Sequence, residues 1–376
     1  MILKQITSIE DAKEFCQLNF RDSSPFLRYD FFKLLEDSEC TNRYSGWIPS
    51  HFLIKEKDEI VGFIPNFKKL NSFGEYIFDH MFEHAYYQIG VEYFPKFLSG
   101  IPFTPVTKLK FIYSNKSINT INVLKLVENY LNEQKVSSFH VNFINESIAN
   151  LLEENNFFKR IGIQYHWINK SFGNFKDFLD SMKSRKKKNI QKERDFLKDQ
   201  KILFVHKKGN QIKKEDMINL FKCYMNTIDK KWSRAYLNIN FFVGLIKTSA
   251  LENMLLISAH KNGKLLGSSI HFIGDDTLYG RYWGCLEDIP YLHFELCYYQ
   301  AIEYAIKNKL TKIEAGAQGE HKISRGYNPI LTFSNHWFNN STLKEPIRDY
   351  LQKENKKTID AAKYLEKYSP FSINTD

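Results

Sequence analysis

Apolar positions along the chain recur in two rhythms, helical and alternating. Phe15 and Leu18, then Phe31, Leu34 and Leu35, fall at helical steps and predict helices over 10–20 and 26–36, with Ser23-Ser24-Pro25 as the turn and cap between them. His51 to Leu70 reads as two strands about an Asp58-Glu59 turn, and Ser72 to Phe78 as a third. A helix over 118–132 and a strand over 138–144 follow. The order then returns. Leu255 to Gly284 gives a strand, the strong hairpin pair Asn262-Gly263, a second strand, an Asp275-Asp276 turn and a third strand. Leu292, Leu296, Tyr299, Ile302 and Ile306 mark a helix, and Lys312-Ile313-Glu314-Ala315 a short strand.

A repeat spacing of roughly 170 to 205 residues exceeds any solenoid period and fits a duplicated α/β domain. The first copy closes with Ser147 to Trp167: short helix, polar turn, strand. Hairpin, third strand, helix, strand, helix, strand is the order of the GNAT acetyltransferase fold, and it occurs twice. The expected division is 1–170 for one GNAT-like domain, 171–340 for a second that opens with a basic helix over 175–198, and 341–376 for a helical tail.

In that basic helix Phe175, Phe178, Leu179, Met182, Ile190 and Leu197 form a stripe, interrupted by Lys183 to Asn189. Stepping four residues from Met182 lands on Lys186, beside Arg185, so a single helix would turn cations inward. Desolvation makes that costly without an anion, and both residues become candidates for a phosphate or carboxylate groove. Long stems reaching out to water would explain them equally. Trp232 ends a further helix over 215–232 and is a candidate substrate-contacting aromatic.

Chemistry concentrates in Gly316-Ala317-Gln318-Gly319-Glu320-His321-Lys322, where two glycines allow a sharp turn. Glu314, Glu320 and His321 are the candidate acid–base residues, because removing a proton from an attacking amine suits a Glu or His of tuned pKa. Gln318, Lys322 and Arg325 are candidate substrate-binding groups, the two cations for phosphate or carboxylate. Arg281 and Tyr282, on the strand that parts from the Glu314 strand in a GNAT-like sheet, complete the set. A lone His in a polar loop is more often a surface residue. Glu-His-x-x-x-Arg lacks the zinc-protease spacing, and no metal is expected. A hydrolase using His321 and His336 is the metal-dependent rival.

Composition adds bounds. In 376 residues, 43% hydrophobic and 15% aromatic, no run approaches a membrane span, and the N-terminus lacks the apolar core of a signal peptide. Five scattered cysteines without a CxxC pair fit reduced thiols and a cytoplasmic protein. A net charge of +10 invites an anionic partner, though lysine-rich usage throughout the chain explains it as well.

The runs EAGAQGEHKISRGYNPILTFSNHW and GRYWGCLEDIPYLHFELCYYQAIEYAI, with SRKKKNIQKER, GIQYHW, SGWIPSHF, FGEYIFD and IPFTPVTKL, resemble a bacterial family of FemAB-like, peptidoglycan-associated N-acyltransferases across nearly the whole chain. The resemblance implies two tandem GNAT-like domains with mixed sheets flanked by helices. It also implies transfer of an acyl or aminoacyl group to an amine, with acyl-CoA or aminoacyl-tRNA as co-substrate and no tightly bound cofactor. Expected partners are CoA, tRNA or a nucleotide-linked cell-wall precursor. One departure stands out: where GNAT enzymes carry a glycine-rich pyrophosphate loop, this chain has Cys285-Leu286-Glu287-Asp288-Ile289-Pro290-Tyr291. A non-catalytic module that binds an anionic ligand is the rival from another class.

Overall fold

Turn chemistry fixes the strand pairing. Asn262 and Gly263 both adopt positive φ, 51° and 78°, as a two-residue hairpin that matches strand twist requires. The computed structural model describes residues 1–20, 24–108, 110–115, 117–134, 136–230, 234–317 and 319–372. Its strands are β1 (Ile2–Ile6), β2 (Trp47–Pro49), β3 (His51–Glu56), β4 (Glu59–Ile64), β5 (Asn66–Lys69), β6 (Lys96–Ser99), β7 (Ile112–Tyr113) and β8 (Ser138–Ile144). There follow β9 (Phe158–Ile168), β10 (Leu203–Lys208), β11 (Met254–Lys261), β12 (Lys264–Ile273), β13 (Thr277–Cys285), β14 (Lys312–Glu314) and β15 (Tyr327–Phe338). No helix among the described residues is long and apolar enough to cross a membrane.

The chain divides into two units, Met1–Ile163 with Leu331–Ala361, and Gln164–Ile330 with the segment from Ala362 on. These bounds differ from 1–170, 171–340 and 341–376. Phe333 to Phe338 of β15 pair antiparallel with β8, and Leu343, Ile347 and Leu351 of the helix Ser341–Glu366 pack with Phe82, Tyr86 and Phe338. Both segments therefore complete the core of the first unit.

In the first unit β1, β3, β4 and β7 form one sheet, and β15, β8, β6, β5 and β2 lie side by side in another. The amphipathic helix Thr120–Gln134 buries Val123, Leu124, Val127 and Leu131 against Phe52, Phe97 and Phe139. Ser72 to Phe78 is a loop rather than a third strand. Its Ser72 and Glu75, with Asp79 beyond, bond the wholly buried ammonium of Lys96, whose Nζ lies 2.9 Å from Glu75 Oε2. Desolvating that charge without carboxylates would cost several kcal/mol, so the loop follows its charges.

In the second unit the order is β10-β11-β12-β13-β14-β9. β13 runs parallel to β14 only from Thr277↔Lys312 to Tyr279↔Glu314, and the strands part beyond. Tyr282 turns to Tyr224, Phe241 and Phe242 on one face, whereas Trp283 stacks on His293 on the other, so helices cover both faces. The expected helix 175–198 is two helices, Phe175–Asp180 and Ser184–Asp199. The break at residues 181–183 resets the phase, which leaves Arg185 exposed and Lys186 half-buried instead of facing a core.

The helix Lys214–Lys230 approaches β13 so closely that a Cβ on Gly284 would stand 2.0 Å from the Cys223 carbonyl oxygen. Gly284→Ala should therefore lower unfolding stability by about 2 kcal/mol or more. Urea denaturation measures this, and a loss of a few tenths would mean the helix does not seat there.

Candidate active site

Where β13 and β14 separate, backbone groups lose their ladder partners and need others. Lys322 supplies them on the β14 side. Its Nζ donates to Ala315 O at 2.6 Å and to Gly316 O at 3.1 Å. Across the split, Asn226 Nδ2 donates to Cys285 O at 2.6 Å, and the Cys285 N–H donates to Thr227 Oγ1 at 3.2 Å. Between the strand ends lies a cleft of about 400 Å3. Its walls come from β12 (Ser269, Ile270, His271), β13 (Gly280 to Trp283), the helical segment after it (His293, Cys297, Tyr298) and the loop beyond β14 (Ala315, Gly319, His321, Lys322).

Two irregularities aim these side chains. Tyr282 pairs with Ile270 but Gly280 pairs with His271, so Arg281 is the extra residue of a β-bulge and lines the cleft. The helix after β13 begins at Leu292–Phe294, widens to a π-turn over Glu295–Tyr299 and resumes as Gln300–Lys307. The π-turn carries Cys297 and Tyr298 onto the cleft wall.

His321 lies on the cleft wall with part of its ring exposed. Its Nε2 lies 2.9 Å from the Tyr298 hydroxyl. Burial, then the Arg325 and Lys322 charges, push its pKa below the ordinary 6.5, so the ring is neutral at pH 7. Burial pushes the Tyr298 hydroxyl upward, so it keeps its proton. In the tautomer whose Nε2–H donates to the Tyr298 oxygen, Nδ1 carries the lone pair and can receive a proton. A Cβ on Gly319 (φ 118°) would stand 2.7 Å from His321 Cε1, between the two ring nitrogens, so the ring lies where only a glycine leaves room for it. Burial holds Lys322 at about 8 and His271 at about 4.

The other expected residues fall elsewhere. Glu314 is buried and does not line the cleft; its neighbour Ala315 does. Its Oε1 receives Lys312 Nζ at 3.0 Å, and its register partner is His166. Glu320 is exposed at the start of the turn Glu320–Arg325 and is not part of the cleft wall. Arg325 is buried in an internal pair, with Nη2 3.0 Å from Glu193 Oε1, Nη1 3.0 Å from His321 O and the guanidinium carbon 3.3 Å from the Phe294 ring centroid. It anchors the His321 turn rather than a ligand. Arg185 and Lys186 do not line the cleft. Gln318 and Trp232 lie outside the described residues. His336 bonds His140, Nδ1 to Nδ1, at 2.6 Å within the first unit.

Of the residues singled out from sequence, Arg281, Tyr282, His321 and Lys322 line this cleft, and they share it with Ser269, His271, Cys297 and Tyr298, which were not singled out. Polar Ser268, Ser269 and His271 inside an otherwise apolar strand are the signal that was available for the first two. The π-turn has no sequence signature.

Split parallel strands, a bulge at the split and a loop that closes the cleft define the second unit as GNAT-like, in a mixed α/β chain of two tandem units. The chain belongs to the FemAB-like family, described as peptidoglycan biosynthesis/recognition, whose profile matches residues 5–373. It is similar to FemX at 11% identity, with a TM-score of 0.52, over 93% of this chain and 100% of that one. It is also similar to the C-terminal domain of an Agrobacterium fabrum protein described as a lysylphosphatidylglycerol synthetase, at 6% identity and a TM-score of 0.53, over 92% of this chain and 97% of that one. L-PGS from Bacillus licheniformis matches at 8% identity and a TM-score of 0.51, over 85% and 95%. At these identities the likeness is one of fold. No curated protein matches the chain.

Replacing Glu193 with Ala leaves the Arg325 charge buried beside Phe294 without its carboxylate. The expected cost is about 3 kcal/mol of unfolding stability, read by denaturant titration. An unchanged stability would mean that Arg325 is available to a ligand after all.

Proposed function

We propose that this chain transfers an acyl or aminoacyl group from an ester or thioester donor to an amine bound in the cleft of the second unit. The observation that carries this reading is His321, bonded to Tyr298, on the wall of a cleft between split parallel strands. The amine nitrogen attacks the donor carbonyl, and His321 Nδ1 takes the proton it sheds. The carbon–oxygen or carbon–sulfur bond to the leaving group then breaks, and that proton passes to the departing oxygen or sulfur. Lys322 has three N–H donors and commits two to Ala315 and Gly316, so the third is placed to hold charge developing on the carbonyl oxygen. Arg281 supplies a second cation on the opposite strand.

The loop over 285–291 favours an aminoacyl ester, as in aminoacyl-tRNA, over acyl-CoA. A pyrophosphate held there would need free backbone amides. Three of the seven positions offer no amide, because the Cys285 N–H is on Thr227, the Leu286 N–H donates to Leu266 O at 2.8 Å, and Pro290 has none. Glu287 and Asp288 pair with Lys264 and Lys230, at 2.7 and 2.8 Å, and place two carboxylates beside that position. A nucleotide-linked cell-wall precursor is the acceptor consistent with the family's description.

His321→Ala should lower kcat by about 100- to 10,000-fold with KM nearly unchanged. With acceptor saturating, the rate should rise as pH rises through a value below the ordinary imidazole 6.5, where His321 loses its proton, and fall above about 8, where Lys322 loses its charge. Initial rates with aminoacyl-tRNA, acetyl-CoA and a UDP-linked muropeptide over pH 5 to 9 test both. Full turnover in the variant would remove His321 from the chemistry, and no product with any donor would leave a binding module.

A further inference from the structure

An amine about to attack a carbonyl must be uncharged, and a protein can meet that need in two ways. A carboxylate in the site would bind the ammonium and then remove its proton. A site without one would admit only amines already neutral. The cleft is of the second kind. β13 contributes Arg281 and Tyr282, and β12 contributes the neutral imidazole of His271. His293, Cys297 and Tyr298 come from the segment Leu292–Tyr299, and His321 and Lys322 from the turn beyond β14. His206, on β10, adds a repulsive influence on His271. No Asp or Glu lies among the described residues that line the cleft. Glu314 is outside the wall, Glu320 is exposed, and Glu193 is engaged by Arg325.

Building on the transferase reading above, we propose that the cleft takes its acceptor as an uncharged amine of low basicity, the class to which a peptide α-amino group belongs, and rejects alkylammonium groups. The resident amine of Lys322 reports the same environment: burial brings it from 10.5 to about 8, and no carboxylate acts to hold it up. A free α-amino group titrates near 8 and an alkylamine near 10.4, so at pH 7 about a tenth of the former and about 0.04% of the latter is neutral. The penalty against the alkylamine is therefore about 250-fold before any contact is made.

The test is calorimetric titration of the full chain with glycinamide and with n-butylamine between pH 6 and 8. Glycinamide should bind about tenfold more tightly for each pH unit up to its own pKa, and n-butylamine about two orders of magnitude more weakly at pH 7. Arg281→Gln should narrow the gap between them. Equal affinities at pH 7, a glycinamide affinity flat in pH, or no glycinamide binding at millimolar concentration would each overturn the proposal. Product formation is read separately. Discrimination without product from any donor leaves the specificity and removes the reaction, whereas product formed as readily on n-butylamine as on glycinamide leaves the reaction and removes the specificity.

Discussion

Two parallel strands cannot separate inside a protein unless their freed peptide groups find new partners. In the second unit this constraint is met on both sides of the split. The Lys322 ammonium caps the carbonyls of Ala315 and Gly316, and the side chains of Asn226 and Thr227 take the Cys285 carbonyl and amide. The rest of the site depends on those four bonds. The bulge at Arg281 turns a cation into the gap, and Gly284 lets the helix Lys214–Lys230 come close enough for its two side chains to reach. A charged group chosen for backbone capping is thereby fixed on the wall of the cleft, where its proton affinity falls by desolvation.

The first unit contains the corresponding pair of strands. β6 runs parallel to β8 from Phe97↔Phe139 to Ser99↔Val141. The next free carbonyl on β8's path, that of Phe143, receives the Lys108 N–H at 3.0 Å and Lys110 Nζ at 3.1 Å. A buried lysine again caps the strand, but here residues 101–106, all buried, follow β6. One copy satisfies its split with its own chain, and the other leaves the space between the strands open. That difference accounts for the open cleft of the second unit although the architecture is repeated.

What sequence could and could not show follows from the range of the interactions. Hairpins, amphipathic helices and the strand Ser138–Ile144 depend on residues close in the chain, and periodicity locates them. The helix break at 181–183, the π-turn and the bulge at Arg281 depend on partners far away, and so they were invisible. The error over Lys186 is instructive. A stripe extrapolated through a break placed a cation in a core, where the fold instead lets Glu193 and Arg194 face inward, to Arg325 and to the buried Glu295. Position in a motif located the His321 loop, yet it could not say which of its charges were already engaged.

That last distinction governs the electrostatics. A chain of net charge +10 suggests an anion-seeking surface. Of the five cations singled out from sequence, however, Arg325 is neutralised internally, and Arg185 and Lys186 stand outside the cleft wall. Only Arg281 and Lys322 line the cleft. Two cations in a cavity of about 400 Å3 without a carboxylate matter more than many on the surface, because low dielectric and lack of salt screening keep their field strong. His321 is depressed first by burial and then by the Arg325 and Lys322 charges, and the two cations of the wall disfavour an ammonium. In the transferase reading proposed above, oxyanion partner and amine selection both rest on these two cations, and a carboxylate added to the wall would weaken both together.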